Sequence, residues 1–274
     1  LQYSELSKKL TKKLDKKTKK NNGIYFTPPK TIYKNLELLK PHIVNITSVL
    51  EPSCGSGEFI LALNKLYPNL NITGVEYNQT IFNSIRHLSN DNINIINEDY
   101  LLYDESKKYD LIIGNPPYFV MKKNDVNKKY YNYFDGRPNI FLLFIIKSLK
   151  LLNDNGILSF VLPKSFMNCL YYDKTRNFIN KNFTIMNIGE CHDKYIETQQ
   201  ETIILIIKKK TPETSTNSQF ILNIKNYIIF GTPENIKNIT ALYSDSTSLS
   251  DLKFKVSVGN VVWNQCKSIL TDDT

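Results

Sequence analysis

Apolar residues follow two alternating rhythms along this chain. Short apolar runs bounded by turn residues predict strands at 46–50, 71–75, 93–96, 109–113, 156–162, 183–188 and 202–207. Between them, apolar positions recur at helical spacing. One such helix spans 58–67 and buries Phe59, Ile60, Leu63 and Leu66; others span 78–88, 140–152 and 165–180. Strands that alternate with helices of this length predict an α/β fold with a mostly parallel, doubly wound sheet. The last two strands lack an intervening helix, so an antiparallel strand is expected at the sheet edge. Upstream, a helix starting at Pro28 or Pro29, with Thr27 as its N-cap, carries Ile32, Leu36, Leu38 and Leu39. Residues 1–22 space Leu6, Leu10 and Leu14 helically among lysines, which reads as a basic amphipathic helix running into a polar tail. At 211 a polar stretch, Thr211 to Ser218, reads as a linker. The expected layout is a basic helix or tail at 1–22, a catalytic domain at 23–210, and a linker with the start of another domain at 211–274.

Composition narrows the class. The chain has 274 residues, 41% hydrophobic and 22% charged, which suits a globular protein. No run of about 18 apolar residues is present to span a bilayer. The N-terminus lacks the apolar core of a signal peptide. Cys54, Cys169, Cys191 and Cys266 are widely spaced, as are His42, His87 and His192. Neither a disulfide framework nor a metal site is expected, and an intracellular location fits. The net charge of +9 suggests a polyanionic partner without identifying it. Residues 1–20 hold eight lysines against Glu5 and Asp15, a net +6, so most of that charge belongs to one segment. A chain that begins with Leu and stops at Thr274 reads as a piece of something longer.

The chemistry is expected at the C-terminal ends of the strands. The first strand runs into Glu51-Pro-Ser-Cys-Gly55-Ser-Gly57, where two glycines let backbone N–H groups approach a ligand closely. Ile60 stands where a dinucleotide fingerprint would carry its third glycine, which argues against a pyrophosphate. The second strand ends at Glu76, placed to accept from ribose hydroxyls. The third ends at Asp99-Tyr100, a carboxylate for an adenine amino group and a ring to lie against the base. Together these ends suit an adenosine without phosphates, such as S-adenosylmethionine.

The fourth strand runs into Asn115-Pro-Pro-Tyr118. Consecutive prolines fix the backbone and turn the Pro116 carbonyl outward. That carbonyl and the Asn115 amide oxygen form a pair of acceptors suited to an exocyclic amino group, and Tyr118 offers a face on which a planar base can stack. An adenine amino nitrogen delocalises its lone pair into the ring. Two acceptors on its hydrogens favour a pyramidal nitrogen whose lone pair can meet a methyl sulfonium.

In this order, Tyr25-Phe-Thr27-Pro-Pro29, Glu51 to Gly57, Gly74-Val-Glu76, Asp99-Tyr100 and Asn115 to Tyr118 resemble the gamma-class, TaqI-type family of amino-methyltransferases that act on adenine in DNA. The resemblance extends through Asn139-Ile-Phe141 and Gly156 to Pro163, and to Val258 to Gln265 at the opening of the family's DNA-recognition region. It implies a Rossmann-like class I methyltransferase with a seven-stranded sheet, followed by a partial C-terminal DNA-recognition region. It implies S-adenosylmethionine in a site lined by Thr27, Glu51, Gly55, Glu76, Asp99, Tyr100 and Phe141, and a flipped adenine held by Asn115, Pro116 and Tyr118. Tyr195 is the candidate for the family's second stacking aromatic. Double-stranded DNA is the implied partner, within a restriction–modification system whose endonuclease would act separately.

Two rivals use the same motif: a protein-glutamine methyltransferase, and a non-catalytic methyltransferase-like DNA-binding subunit. A nuclease-like spacing, Asp99, Glu105 and Lys107, reads better as a solvated loop. Residues 119–137 mix cations with aromatics after the motif. They are expected to form a loop that closes over DNA, with Lys128 and Lys129 on the phosphates.

Overall fold

The computed structural model describes residues 2–104, 106–209, 218–225, 227–249 and 251–255. Two helices open the chain, α1 (Glu5–Lys13), capped by the Ser4 side chain, and α2 (Lys16–Asn22), capped by Asp15. They are not a tail. Leu10 and Leu14 pack with Phe26 and Ile81 in a small apolar cluster of their own. Helix α3 (Pro29–Leu39) follows with Pro28, not Thr27, at the N-cap, and Thr27 is buried instead.

Strand β1 (Ser48–Glu51) leads through the glycine turn to α4 (Glu58–Leu66), β2 (Asn71–Glu76), α5 (Gln79–Ile85), β3 (Ile93–Asn97) and β4 (Tyr109–Gly114). After the 119–137 segment come α6 (Ile140–Leu151) and β5 (Leu152–Pro163). The helix expected over 165–180 is divided into two 3-10 turns, Lys164–Met167 and Leu170–Tyr172, and α7 (Asp173–Asn182). The break persists because Arg176 takes the freed carbonyls: its guanidinium donates to Phe166 O at 3.0 Å and Cys169 O at 2.8 Å. Strands β6 (Phe183–Cys191) and β7 (Thr202–Lys209) complete the sheet.

The seven strands lie in the order β3-β2-β1-β4-β5-β7-β6. The first five are parallel, and β7 runs antiparallel to both β5 and β6. The antiparallel strand therefore sits one place in from the edge, and β6 forms the edge itself. The middle strands are apolar on both faces; Leu111, Ile112 and Ile113 are wholly buried, as expected of a sheet covered on both sides.

A hairpin, β8 (Ile221–Ile224) and β9 (Tyr227–Phe230), follows, and α8 (Pro233–Ser244) begins after it. Arg176 Nε donates to Ile228 O at 2.6 Å and Asp173 Oδ1 accepts from Ile228 N at 2.9 Å, bolting the hairpin to α7. The first compact unit runs to Ile236 and so includes this hairpin, which the sequence pattern placed beyond the linker; residues 237–274 form the second. Of the expected linker, Thr211 to Ser218, all but Ser218 lies outside the described residues, as does the Val258–Gln265 motif. No described helix is long and apolar enough to cross a membrane.

Candidate active site

The strand ends converge on one cavity of about 260 Å³. The turn after β1 contributes Pro52, Ser53 and Gly55, β2 ends in Glu76 with Tyr77 and Asn78 after it, the turn after β3 brings Asp99 to Leu101, and the turn after β4 brings Asn115 and Pro117. Residues 22–26, just past α2, close one side, and Phe119, Met121, Ile140 and Phe144 close another. A smaller annex of about 40 Å³ shares the Gly55 and Asn115 walls and adds Thr27, Glu51, Cys54 and Glu58.

Gly55 and Gly57 both hold positive φ, 52° and 76°, and the Gly57 N–H closes the turn on the Cys54 carbonyl at 2.7 Å. The Gly55 N–H donates to Glu76 Oε2 at 2.8 Å, and the Asn78 N–H donates to Oε1 at 2.7 Å. Each Glu76 oxygen keeps a lone pair for a ligand hydroxyl. Burial pushes the Glu76 carboxyl up to about 7, against the pull of those two amides. Glu51 is more extreme. It is buried, its Oε2 has no hydrogen-bond partner, and burial together with the nearby Glu76 charge holds its carboxyl well above the usual range. An orphaned carboxylate oxygen in the annex calls for a cationic or hydrogen-bond-donating ligand group there.

Asp99 accepts from the Leu101 N–H at 2.9 Å and faces the cavity with its neighbour Tyr100. The Tyr100 hydroxyl is already paired with Ser148 at 2.7 Å, which leaves its ring as the available surface. Phe141 does not line the cavity. It is wholly buried, edge-on to Tyr118 at 5.9 Å and to Tyr172 at 5.1 Å, while Ile140 and Phe144 of the same helix form the wall. Gly57 likewise shapes the turn from behind, as the N-cap of α4.

Asn115 lies where the cavity and the annex meet. Its amide donates to Tyr25 O at 3.3 Å, and its amide oxygen accepts from the Tyr118 hydroxyl. The following Pro116 is buried and Tyr118 partly so. Tyr195 is buried near both Asn115 and Tyr118. Burial pushes its hydroxyl well above the ordinary range, partly offset by the Thr202 hydroxyl and the Asn115 amide. Lys128 and Lys129 are exposed on a 3-10 turn, Lys128–Tyr133, that buries Tyr130. The segment around them is packed, not loose: Val126 and Phe134 are also buried, and Met121 N and Ile140 N bond Pro138 O and Phe119 O. Glu105 of the nuclease-like spacing lies outside the described residues, and no cluster of metal-ligating side chains occurs among the described residues.

Sequence reasoning missed the contribution of the first two helices. Ser7 donates to Glu58 Oε1 at 2.5 Å and pairs with Ser56 at 2.9 Å, tying α1 to the glycine turn. Gly23 caps α2 at φ 62°, and a Cβ there would stand 2.6 Å from the Tyr118 amide nitrogen. The available signals were the apolar Leu10–Leu14 spacing and the Asn-Gly at the helix end.

A sheet of this order, with a glycine turn and an acidic residue at successive strand ends, is the class I S-adenosylmethionine-dependent methyltransferase fold. Its chemistry draws on S-adenosylmethionine as methyl donor. The chain superposes on a class I S-adenosylmethionine-dependent methyltransferase from Listeria monocytogenes with a TM-score of 0.64 at 20% identity, over 88% of this chain and 78% of that one. The DrdV–DNA complex shares the fold at a TM-score of 0.58 and 16% identity, over 91% of this chain and 32% of that one. Residues 57–196 match the model of the Eco57I restriction-modification methylases, and the chain belongs to that family. It is 30% identical to the type II methyltransferase M.CvrRI of Paramecium bursaria Chlorella virus XZ-6E, over 94% of this chain and 66% of that protein. With the modification methylase CviBIII of Paramecium bursaria Chlorella virus NC1A it shares 32%, over 76% of this chain and 55% of that protein. The type II methyltransferase M.AccI of Acinetobacter calcoaceticus is 29% identical, over 68% and 36%. The chain thus spans between about a third and two thirds of these relatives' lengths.

Proposed function

We propose that this protein transfers a methyl group to the N6 amino group of an adenine taken out of double-stranded DNA, as the modification part of a restriction–modification system. The observation that carries this reading is the position of Asn115, next to Pro116 in the chain, on the wall shared by the Glu76–Gly55 cavity and its annex. S-adenosylmethionine, when bound, supplies an electrophilic methyl group on a cationic sulfur. The residues present suit it: Glu76 for the ribose hydroxyls, Asp99 for the adenine amino group, and the unpartnered Glu51 oxygen with Thr27 toward the amino-acid end.

The chain's own part in the reaction is positioning. Asn115 Oδ1 and the Pro116 carbonyl accept the two hydrogens of the target amino group and free its lone pair. Oδ1 can do this while Tyr118 donates to it, since an amide oxygen has two lone pairs. Tyr118 offers its ring to the base, with Tyr195 on the other side. Extruding the base costs a few kcal/mol of lost stacking and pairing, which this aromatic pocket would offset. Lys128 and Lys129 sit on the exposed face beyond the motif, where phosphates would pass. The part of the chain assigned to reading DNA sequence is then the one beyond the first compact unit, from residue 237 on.

The deciding experiment incubates the chain with unmethylated duplex DNA and S-adenosylmethionine, digests the DNA to nucleosides and identifies the product by mass spectrometry. N6-methyladenine is expected. N4-methylcytosine as the sole product, or transfer to protein glutamine with none to DNA, would overturn the reading.

A further inference from the structure

Of the eight lysines in residues 1–20, all of them described, Lys19 alone is buried. A buried ammonium persists only where partners replace its water. Lys19 Nζ has two: the Thr11 carbonyl at 2.6 Å, within the same N-terminal segment, and Glu197 Oε1 at 2.6 Å. Glu197 stands on residues 192–201, the connection from β6 to β7, which has no helix or strand of its own. That connection also carries Tyr195. Other bonds tie it down as well, among them Tyr3 Oη to Lys194 O at 3.4 Å, Thr31 Oγ1 to Asp193 Oδ2 at 3.0 Å and Lys164 N–H to Glu201 O at 2.9 Å. Four residues after Lys19, Gly23 packs on the backbone of Tyr118. The segment around Lys19 therefore meets the backbone of Tyr118 directly and reaches the connection that carries Tyr195 through Glu197.

We propose that Lys19 is a positioning residue for the target base: its ion pair with Glu197 holds residues 192–201, and Tyr195 among them, against Asn115 and Tyr118. The role rests on the DNA-adenine reading above. The same helices reach the cofactor side through other groups, Ser7 with Ser56 and Glu58. Breaking the Lys19–Glu197 pair should therefore disturb the base side and spare the cofactor side.

The test compares wild type with Lys19→Met, Glu197→Gln, the double variant and Lys19→Arg. Glu197→Gln guards against failure of the first helices to fold, because its side chain is only partly buried. Three readouts are needed: S-adenosylhomocysteine affinity by calorimetry, kcat and KM on unmethylated duplex DNA, and hydrogen exchange of residues 192–201. Expected are unchanged S-adenosylhomocysteine affinity, faster exchange in 192–201, and a loss in kcat/KM on the order of a hundredfold, the scale of an ångström-level misplacement. The double variant should be no worse than either single one, and Lys19→Arg should recover most activity. Additive losses, unaltered exchange in 192–201, or affinity for S-adenosylhomocysteine that falls with activity would overturn the proposal. A wild type that methylates no DNA would remove the functional reading and this role with it; an active wild type with unaffected variants would remove the role alone.

Discussion

Tyr118 turns its hydroxyl inward onto the amide oxygen of Asn115, and the Val161 carbonyl lies 2.7 Å from the same hydroxyl. One proton thus serves two acceptors, and burial holds the phenol well above its ordinary range. On the reading proposed above, the bond orients the amide whose oxygen would receive the substrate's amino group. Tyr118→Phe keeps the ring and loses that orientation, so kcat should fall by about tenfold to a hundredfold with a smaller change in KM for DNA. Asn115→Ala removes the acceptor itself and should abolish transfer while S-adenosylhomocysteine still binds. Steady-state methylation with tritiated donor and calorimetry separate the two effects.

Glu76 links the site to pH. Its folded carboxyl titrates near 7 and its unfolded one near 4.5, so the native state holds an extra proton between those values. Stability of the unliganded protein should therefore decline as pH rises from about 4.5 through 7. Affinity for the donor should rise over the same interval, because only the ionised carboxylate is a full acceptor for two hydroxyls. Glu76→Gln should flatten the affinity profile and lessen the stability slope without removing it, because burial also holds the Glu51 carboxyl high. Melting curves and S-adenosylhomocysteine titrations from pH 5 to 8.5 measure them, and a donor affinity that stays flat through pH 7 would contradict the assignment.

Gly23 has no room for a methyl group, since the atom in its way is the backbone nitrogen of Tyr118 at 2.6 Å and its φ is positive. Gly23→Ala should cost about 1–2 kcal/mol from the left-handed conformation alone, with the contact adding to it. Activity should fall more than stability, because the displaced atom belongs to the turn proposed to hold the target base. Urea denaturation beside kinetics would show the disproportion.

Arg176 is almost wholly buried and bonds three carbonyls and Asp173. Arg176→Met should destabilise the protein by about 3–5 kcal/mol, because three carbonyls lose their donor and the partly buried Asp173 loses its counter-charge. The β8–β9 hairpin should loosen first, which limited proteolysis around 218–230 would reveal.

Lys128→Ala with Lys129→Ala should weaken DNA binding and reduce the slope of log affinity against log salt by roughly two counter-ions. Affinity for S-adenosylhomocysteine should stay constant. Fluorescence anisotropy at several salt concentrations reads both quantities, and an unchanged slope would remove these lysines from the interface.

Much of this was legible in the chain. Runs such as Tyr109–Ile113 could only be buried strands, and Gly-x-Gly, Glu76, Asp99 and Asn115 fell at successive strand ends because such ends are where loops collect. The site's floor was readable for that reason. Its ceiling was not: Lys19, Gly23 and Ser7 act through partners far away in sequence, and a lysine-rich helix looks solvated until its one buried ammonium meets Glu197. Phe141 misled for a related reason. Neighbouring positions on a helix point in different directions, and the wall went to Ile140 and Phe144. The break at Asn168 was hidden because Arg176, several residues on, supplies the hydrogen bonds that keep it open.

The direction of β7 decides how the rim of the sheet is populated. Had β7 run parallel to β6, the chain would have needed a long crossover back to the opposite rim before entering it. Running antiparallel, it turns directly at residues 192–201, on the same rim as Asn115. That reversal gives the rim that holds Asn115 an extra connection, short and free of helix. At the far rim, Asp110 instead gathers the Thr47 and Ser48 amides and hydroxyls. A probe or fusion partner attached on the far rim would leave every group discussed above untouched, whereas an insertion into 192–201 would reach both the base pocket and the N-terminal helices at once.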